Sequence, residues 1–146
     1  MTAASLGAAC SSATAMTHEA YFARLSTNMQ TLDAEVGEVD ATVTARSSLA
    51  DDSVPRLEHS LRSLAASLDE LHAPSDTSSA HHDLRAATLD LADLLRDAVT
   101  QPAADRTSRG ATFTSNWINA CHTLQDIALA NKIDADLRCA TALRNR

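Results

Sequence analysis

The imidazole, carboxylate and thiol groups of this chain are where chemistry could reside. His18, His72, His81 and His82, with Glu19, Asp69 and Glu70, offer the ligand types that zinc or copper takes. Asp69-x-x-His72 would set two such groups on one helical face. The spacing matches no standard zinc signature, and the paired Glu-x-x-His motifs of di-iron bundles are missing. Helix ends are polar, so histidines placed there are also simply solvated or bonded to free carbonyls.

Cys121 and Cys139 are 18 positions apart, about 27 Å along an unbroken helix and far beyond disulfide reach. They can join only if the chain reverses between them. Asn131 suits a left-handed helix stop, and Asp134 can cap a further helix beyond it. Leu137, Ala140, Ala142 and Leu143 then predict a short fifth helix. Closing such a loop contributes roughly 3 kcal/mol in the chain-entropy account. Unpaired, the two thiols would serve as small buried hydrophobes.

Catalytic patterns are weak. Cys121 and His122 are sequence neighbours, so their side chains diverge by about 100° on a helix and do not form a nucleophile–base pair. With three Gly there is no Gly-rich phosphate loop, and no Ser sits in a Gly-x-Ser-x-Gly elbow. Arg106 and Arg109 beside Gly110 could hold an anion if a helix starts just after them. Phe113 and Trp117 fall on one helical face, where core packing accounts for them.

The elements that must position these groups are helices. Apolar residues at Phe22, Leu25, Met29, Leu32, Val36, Val39 and Val43 alternate in steps of three and four. They predict a helix over 17–46, about 45 Å long, capped by Thr17 with Glu19 in its first turn. A second helix begins near Val54, carries Leu57, Leu61, Leu64, Leu68 and Leu71, and ends before Pro74. A third, capped by Thr77 or Ser78, carries Leu84, Ala87, Leu91, Leu94 and Ala98, widened by Leu89 and Leu95. Pro102 and residues 103–110 predict a connection, and the fourth helix carries Phe113, Trp117, Ala120, Leu124 and Ile127. Each helix has a single apolar stripe that it cannot bury alone, so an all-α, up-down-up-down four-helix bundle is expected. That topology gathers His18, His72, His81 and His82 at one end. A helical hairpin completed by a second copy is the alternative, leaving monomer or homodimer open.

Composition agrees. Of 146 residues 45 % are hydrophobic and 3 % aromatic, with three Pro, which suits one helical domain and disfavours a sandwich or barrel. The net charge of −7, with eleven Arg and one Lys (Lys132) in no run, excludes the clustered positive charge that nucleic acids require. Protonating all six His would bring −7 to −1, so acid would favour self-association.

Residues 1–16 predict a disordered N-terminus or the remnant of a lipoprotein signal and tether, ahead of a helical domain at 17–146. Leu6-Gly7-Ala8-Ala9-Cys10, followed by Ser11-Ser12, resembles a lipobox in which Cys10 would carry the lipid and tether the chain to a membrane. Leu6 sits one place further from the Cys than is usual, and no charged start or apolar run precedes it. No other segment holds the ~18 apolar residues of a membrane span.

Trp117-x-x-Ala-Cys-x-x-Leu-Gln, the closing Asp-Leu-x-Cys139, Glu19-Ala-Tyr21-Phe22-x-x-Leu25, Leu-His-Ala-Pro74 and Ala80-His81-His82-x-Leu84 together resemble a group of small bacterial cell-envelope proteins. The resemblance implies a helical fold and an envelope location, and it implies no catalytic residue. The expectation is therefore a small, non-catalytic, extracytoplasmic helical bundle that binds a protein or small ligand and needs no cofactor. Its rivals are a zinc- or copper-binding protein using the His-rich end, and a cytoplasmic dimerising module with reduced cysteines.

Overall fold

The computed structural model describes the backbone over residues 14–46, 53–97 and 103–139 and the side chains over most of it, excepting 39–46 and 103–107. Four helices account for nearly all of this: α1 His18–Arg46, α2 Ser53–Asp69, α3 Ser78–Arg96 and α4 Ala103–Ala130. No strand occurs among the described residues. The expected all-α four-helix bundle is what forms.

Successive helices pack side by side, α1 on α2, α2 on α3 and α3 on α4. Cross-helix pairs give their directions. Arg62 reaches Asp93 at 2.8 Å and Asp69 pairs with Arg85, so α2 and α3 run antiparallel. The Trp117 indole N–H donates to Thr88 Oγ1 at 3.1 Å, while Gly110 approaches Leu94, which sets α4 antiparallel to α3. Arg56 on α2 meets Glu38 on α1 at 3.3 Å. Short connections permit no other order of neighbours.

The core is the predicted seams. Phe22, Leu25, Met29, Leu32 and Val36 of α1 are buried, as are Leu57, Leu61, Leu64 and Leu68 of α2. Leu84, Ala87 and Leu91 of α3 and Trp117, Ala120 and Leu124 of α4 join them, with Tyr21, Cys121 and, from beyond α4, Ala135, Leu137 and Cys139 also in the core. Val39, Val43 and Ala98, which continue the predicted seams, lie outside the described side chains. Burying one such aliphatic or aromatic side chain contributes about 1.5–3 kcal/mol. That is why the stripes, and not local propensity, hold the helices.

Helix ends correct several expectations. Thr17 caps α1 as expected, its Oγ1 accepting the Ala20 N–H at 3.2 Å. Thr77 occupies the corresponding place on α3 but makes no side-chain cap. Its hydroxyl instead donates to the Pro74 carbonyl at 2.7 Å, closing the tight α2–α3 turn. Residues 103–110, read from their polarity as a connection, are the first two turns of α4. Gly110 there sits where α3 and α4 come close: a Cβ at this position would lie 3.4 Å from Leu94 Cδ2.

The largest correction is after α4. The left-handed stop is Lys132, with φ 58°, not Asn131. The Ile133 N–H reaches the Ala128 carbonyl at 2.9 Å and the Lys132 N–H reaches that of Leu129, the paired bonds of a Schellman stop. No helix then begins at Asp134. Residues 133–138 have no helical or strand hydrogen bonding, and 140–146, which would have carried the rest of the predicted fifth helix, lie outside the described residues. Ala135, Leu137 and Cys139 are buried while Asp134, Asp136 and Arg138 are exposed, an alternation along an irregular strap whose backbone turns left-handed at Arg138, φ 54°.

Candidate functional site

Among the described residues, the histidine end of the bundle and the strap both combine polar chemistry with burial.

At the histidine end, the first turn of α1 meets the α2–α3 connection and the start of α3. The Met16 N–H donates to the His72 carbonyl at 2.8 Å. His18 Nε2 lies 2.8 and 3.0 Å from the two oxygens of Asp76, an exposed pair. The His72 ring is exposed. Because α2 stops at Asp69, His72 lies in the connection, and the expected sharing of a helical face by Asp69 and His72 does not occur.

His81 is different. It is 5 % exposed, and its Nδ1 lies 2.9 Å from the hydroxyl of Tyr21, which is fully buried. The nearby Leu68 carbonyl favours the protonated form of the same ring. The buried Tyr21 phenol keeps its hydrogen and meets Nδ1, so in the neutral ring Nδ1 accepts and Nε2 carries the hydrogen. Burial, and secondarily the neighbouring His82, push His81 below the usual histidine range, while the Leu68 carbonyl and Asp69 act the other way. Burial raises the Tyr21 phenol well above its ordinary value, so it stays a donor. The His82 ring is exposed, its centroid 6.0 Å from that of His81.

Beside this pair lies an open cleft of about 260 Å³ lined by Leu68, Asp69, Leu71, Ser78, His81, His82 and Arg85, among others. Its floor is aliphatic and its rim polar. The Arg85 guanidinium holds both oxygens of Asp69 and keeps that carboxyl below its usual range. The topology thus gathers the four predicted histidines at one end, where His18 bonds to Asp76 and His81 to Tyr21 while His72 and His82 are exposed. Among the described residues no three His, Cys, Asp or Glu converge as a metal would require.

The strap is held by side chains that imitate backbone. Gln125 of α4 donates through its amide to the Ala135 carbonyl and accepts the Leu137 N–H at 3.1 Å. Leu137 is fully buried. Cys121 and Cys139 are joined as a disulfide, their Cα atoms 5.6 Å apart. Arg138 reaches Asp33 of α1 at 3.3 Å, so the strap ties the last helix to the first. The expected pairing of Cys121 with Cys139 is present, with a reversal made by an irregular segment in place of a helical hairpin.

The remaining candidates resolve simply. Arg109 lies two turns inside α4 with its guanidinium 5.7 Å over the Phe113 ring, so it does not stand at the helix N-terminus as the anion reading required. The side chain of Arg106 and all of Cys10 lie outside the described residues. Sequence reasoning missed Tyr21 and Gln125. Tyr21 stands beside the Phe22 seam position, and a buried phenol needs a polar partner, which His81 at a helix start supplies. The alternation Asp-Ala-Asp-Leu-Arg-Cys from 134 to 139 was the signal for the strap. Comparison with protein-family models, curated proteins and solved structures finds no match to this chain.

Proposed function

We propose that this chain is a small extracytoplasmic four-helix protein that acts by binding, without catalysis, and presents the cleft at its histidine end to a small ligand or to a segment of a partner protein. The observation that carries the location is the Cys121–Cys139 disulfide fastening a strap whose Leu137 is fully buried. Pairs of this kind persist in oxidising compartments and are rare in the cytosol. The lipobox-like stretch ending at Cys10 and the resemblance to small envelope proteins support the same location. The cleft supports binding, because it joins an aliphatic floor to Ser78, His82 and the Arg85–Asp69 pair.

The test is fractionation of the source cells followed by intact-mass analysis of the native protein. An envelope fraction, with Cys121 and Cys139 oxidised and Cys10 lipidated, is expected. A cytosolic fraction with all three cysteines reduced would overturn the proposal.

A further inference from the structure

Three bonds cross from the start of α1 to the α2–α3 end: Met16 to His72, His18 to Asp76, and Tyr21 to His81. Only the last joins two buried side chains. The Nδ1 of His81 is committed there to the Tyr21 phenol.

We propose that the Tyr21–His81 pair is an acid-sensitive clasp: adding a proton to the His81 ring releases the first turns of α1 from the α2–α3 end and opens the adjoining cleft. The proton comes from solvent and must go to Nδ1, the nitrogen that accepts from Tyr21 in the neutral ring. Two donors then face each other across 2.9 Å. Either the contact breaks, or the phenol turns to accept and its own hydrogen loses the acceptor it had in His81 Nδ1. A buried donor without a partner is costly, and a buried charge more so.

The groups facing His81 do not rescue that charge. From α1 there is Tyr21, which burial keeps protonated. From α2 come the Leu68 carbonyl and the Asp69 carboxylate, and from α3 His82 and Arg85. Asp69 is the one anion in this set, and the Arg85 guanidinium already holds both its oxygens. Opening exposes the ring to water, where it takes its proton in the ordinary histidine range. Acid therefore favours the open end by linkage. The clasp does not rest on the envelope location proposed above.

Amide hydrogen exchange on the full chain at pH 7.5 and 5.5, corrected for intrinsic exchange, tests it. Residues 18–25 should lose about tenfold in protection between the two, since each unit below the ordinary histidine value of ~6.5 adds up to a decade of opening. Residues 117–128 of α4 should hold theirs. In His81→Gln, whose amide oxygen can accept from the Tyr21 phenol without titrating, residues 18–25 should be equally protected at both pH values. Equal protection in the wild type at both pH values, or an undiminished loss in the variant, would overturn the proposal. Should the variant fail to fold, NMR titration of the wild-type ring decides. A His81 ring that stays neutral until residues 18–25 lose protection supports the clasp, and one that titrates in the ordinary range while they stay protected refutes it.

Discussion

Tyr21 and His81 form a buried polar contact whose worth is set by what is left behind when it is broken. Tyr21→Phe keeps the ring packing and strands His81 Nδ1, so it should destabilise the fold by about 1–3 kcal/mol in urea titration. Lys132 is a simpler case: at φ 58° its Cβ is strained, and its side chain is exposed. Lys132→Gly should raise stability by about 1 kcal/mol at neutral pH. The pH dependence originates in His81. Its folded-state value is lowered, chiefly by burial, so below the ordinary histidine range the unfolded chain binds the extra proton. Stability should be intact above about pH 6.5 and fall as pH drops below it. Urea midpoints at pH 7.5 and 5.5 should show the fall in the wild type and a smaller one in His81→Gln. The sequence showed that histidines would gather at one end, because bundle topology alone dictates it. It did not show the Tyr21 contact, because that depends on how α1 is rotated against α3.

Helices were legible where an apolar stripe was continuous and illegible where it lapsed. The seams from Phe22 to Val36 and from Leu57 to Leu68 predicted both the elements and the buried faces. The first two turns of α4 carry polar residues and a Gly, so no stripe marked them as helix. Gly110 offers a test of that region. A Cβ there makes ordinary contact with Leu94, and Gly inside a helix costs about 0.5–1 kcal/mol relative to Ala. Gly110→Ala should therefore stabilise the protein by about that amount in thermal or urea unfolding. Gly37→Ala, with nothing within 4 Å of the added carbon, should do the same. The strap resembles a helix in sequence because Leu137, Ala140 and Leu143 also fit a helical spacing. What decided against helix over 133–139 was Gln125, which satisfies two backbone groups of an irregular segment, and the disulfide, which fixes its end.

Across the whole molecule, the strap makes the bundle a closed object. It runs back along α4, buries Leu137 and reaches α1 through Arg138 and Asp33. Leu137→Ala should cost about 2–5 kcal/mol, the range for a fully buried leucine. Removing the disulfide by Cys121→Ala with Cys139→Ala should cost roughly 3 kcal/mol, mainly by freeing the unfolded chain. The most direct test is a count of alkylatable thiols in the denatured protein after oxidative export, with and without prior reduction, located by peptide mapping. In material exported without lipid attachment at Cys10, one reactive thiol before reduction, at Cys10, and three after it are expected. Three before reduction, or a bridge joining Cys10 to either of the others, would contradict the account.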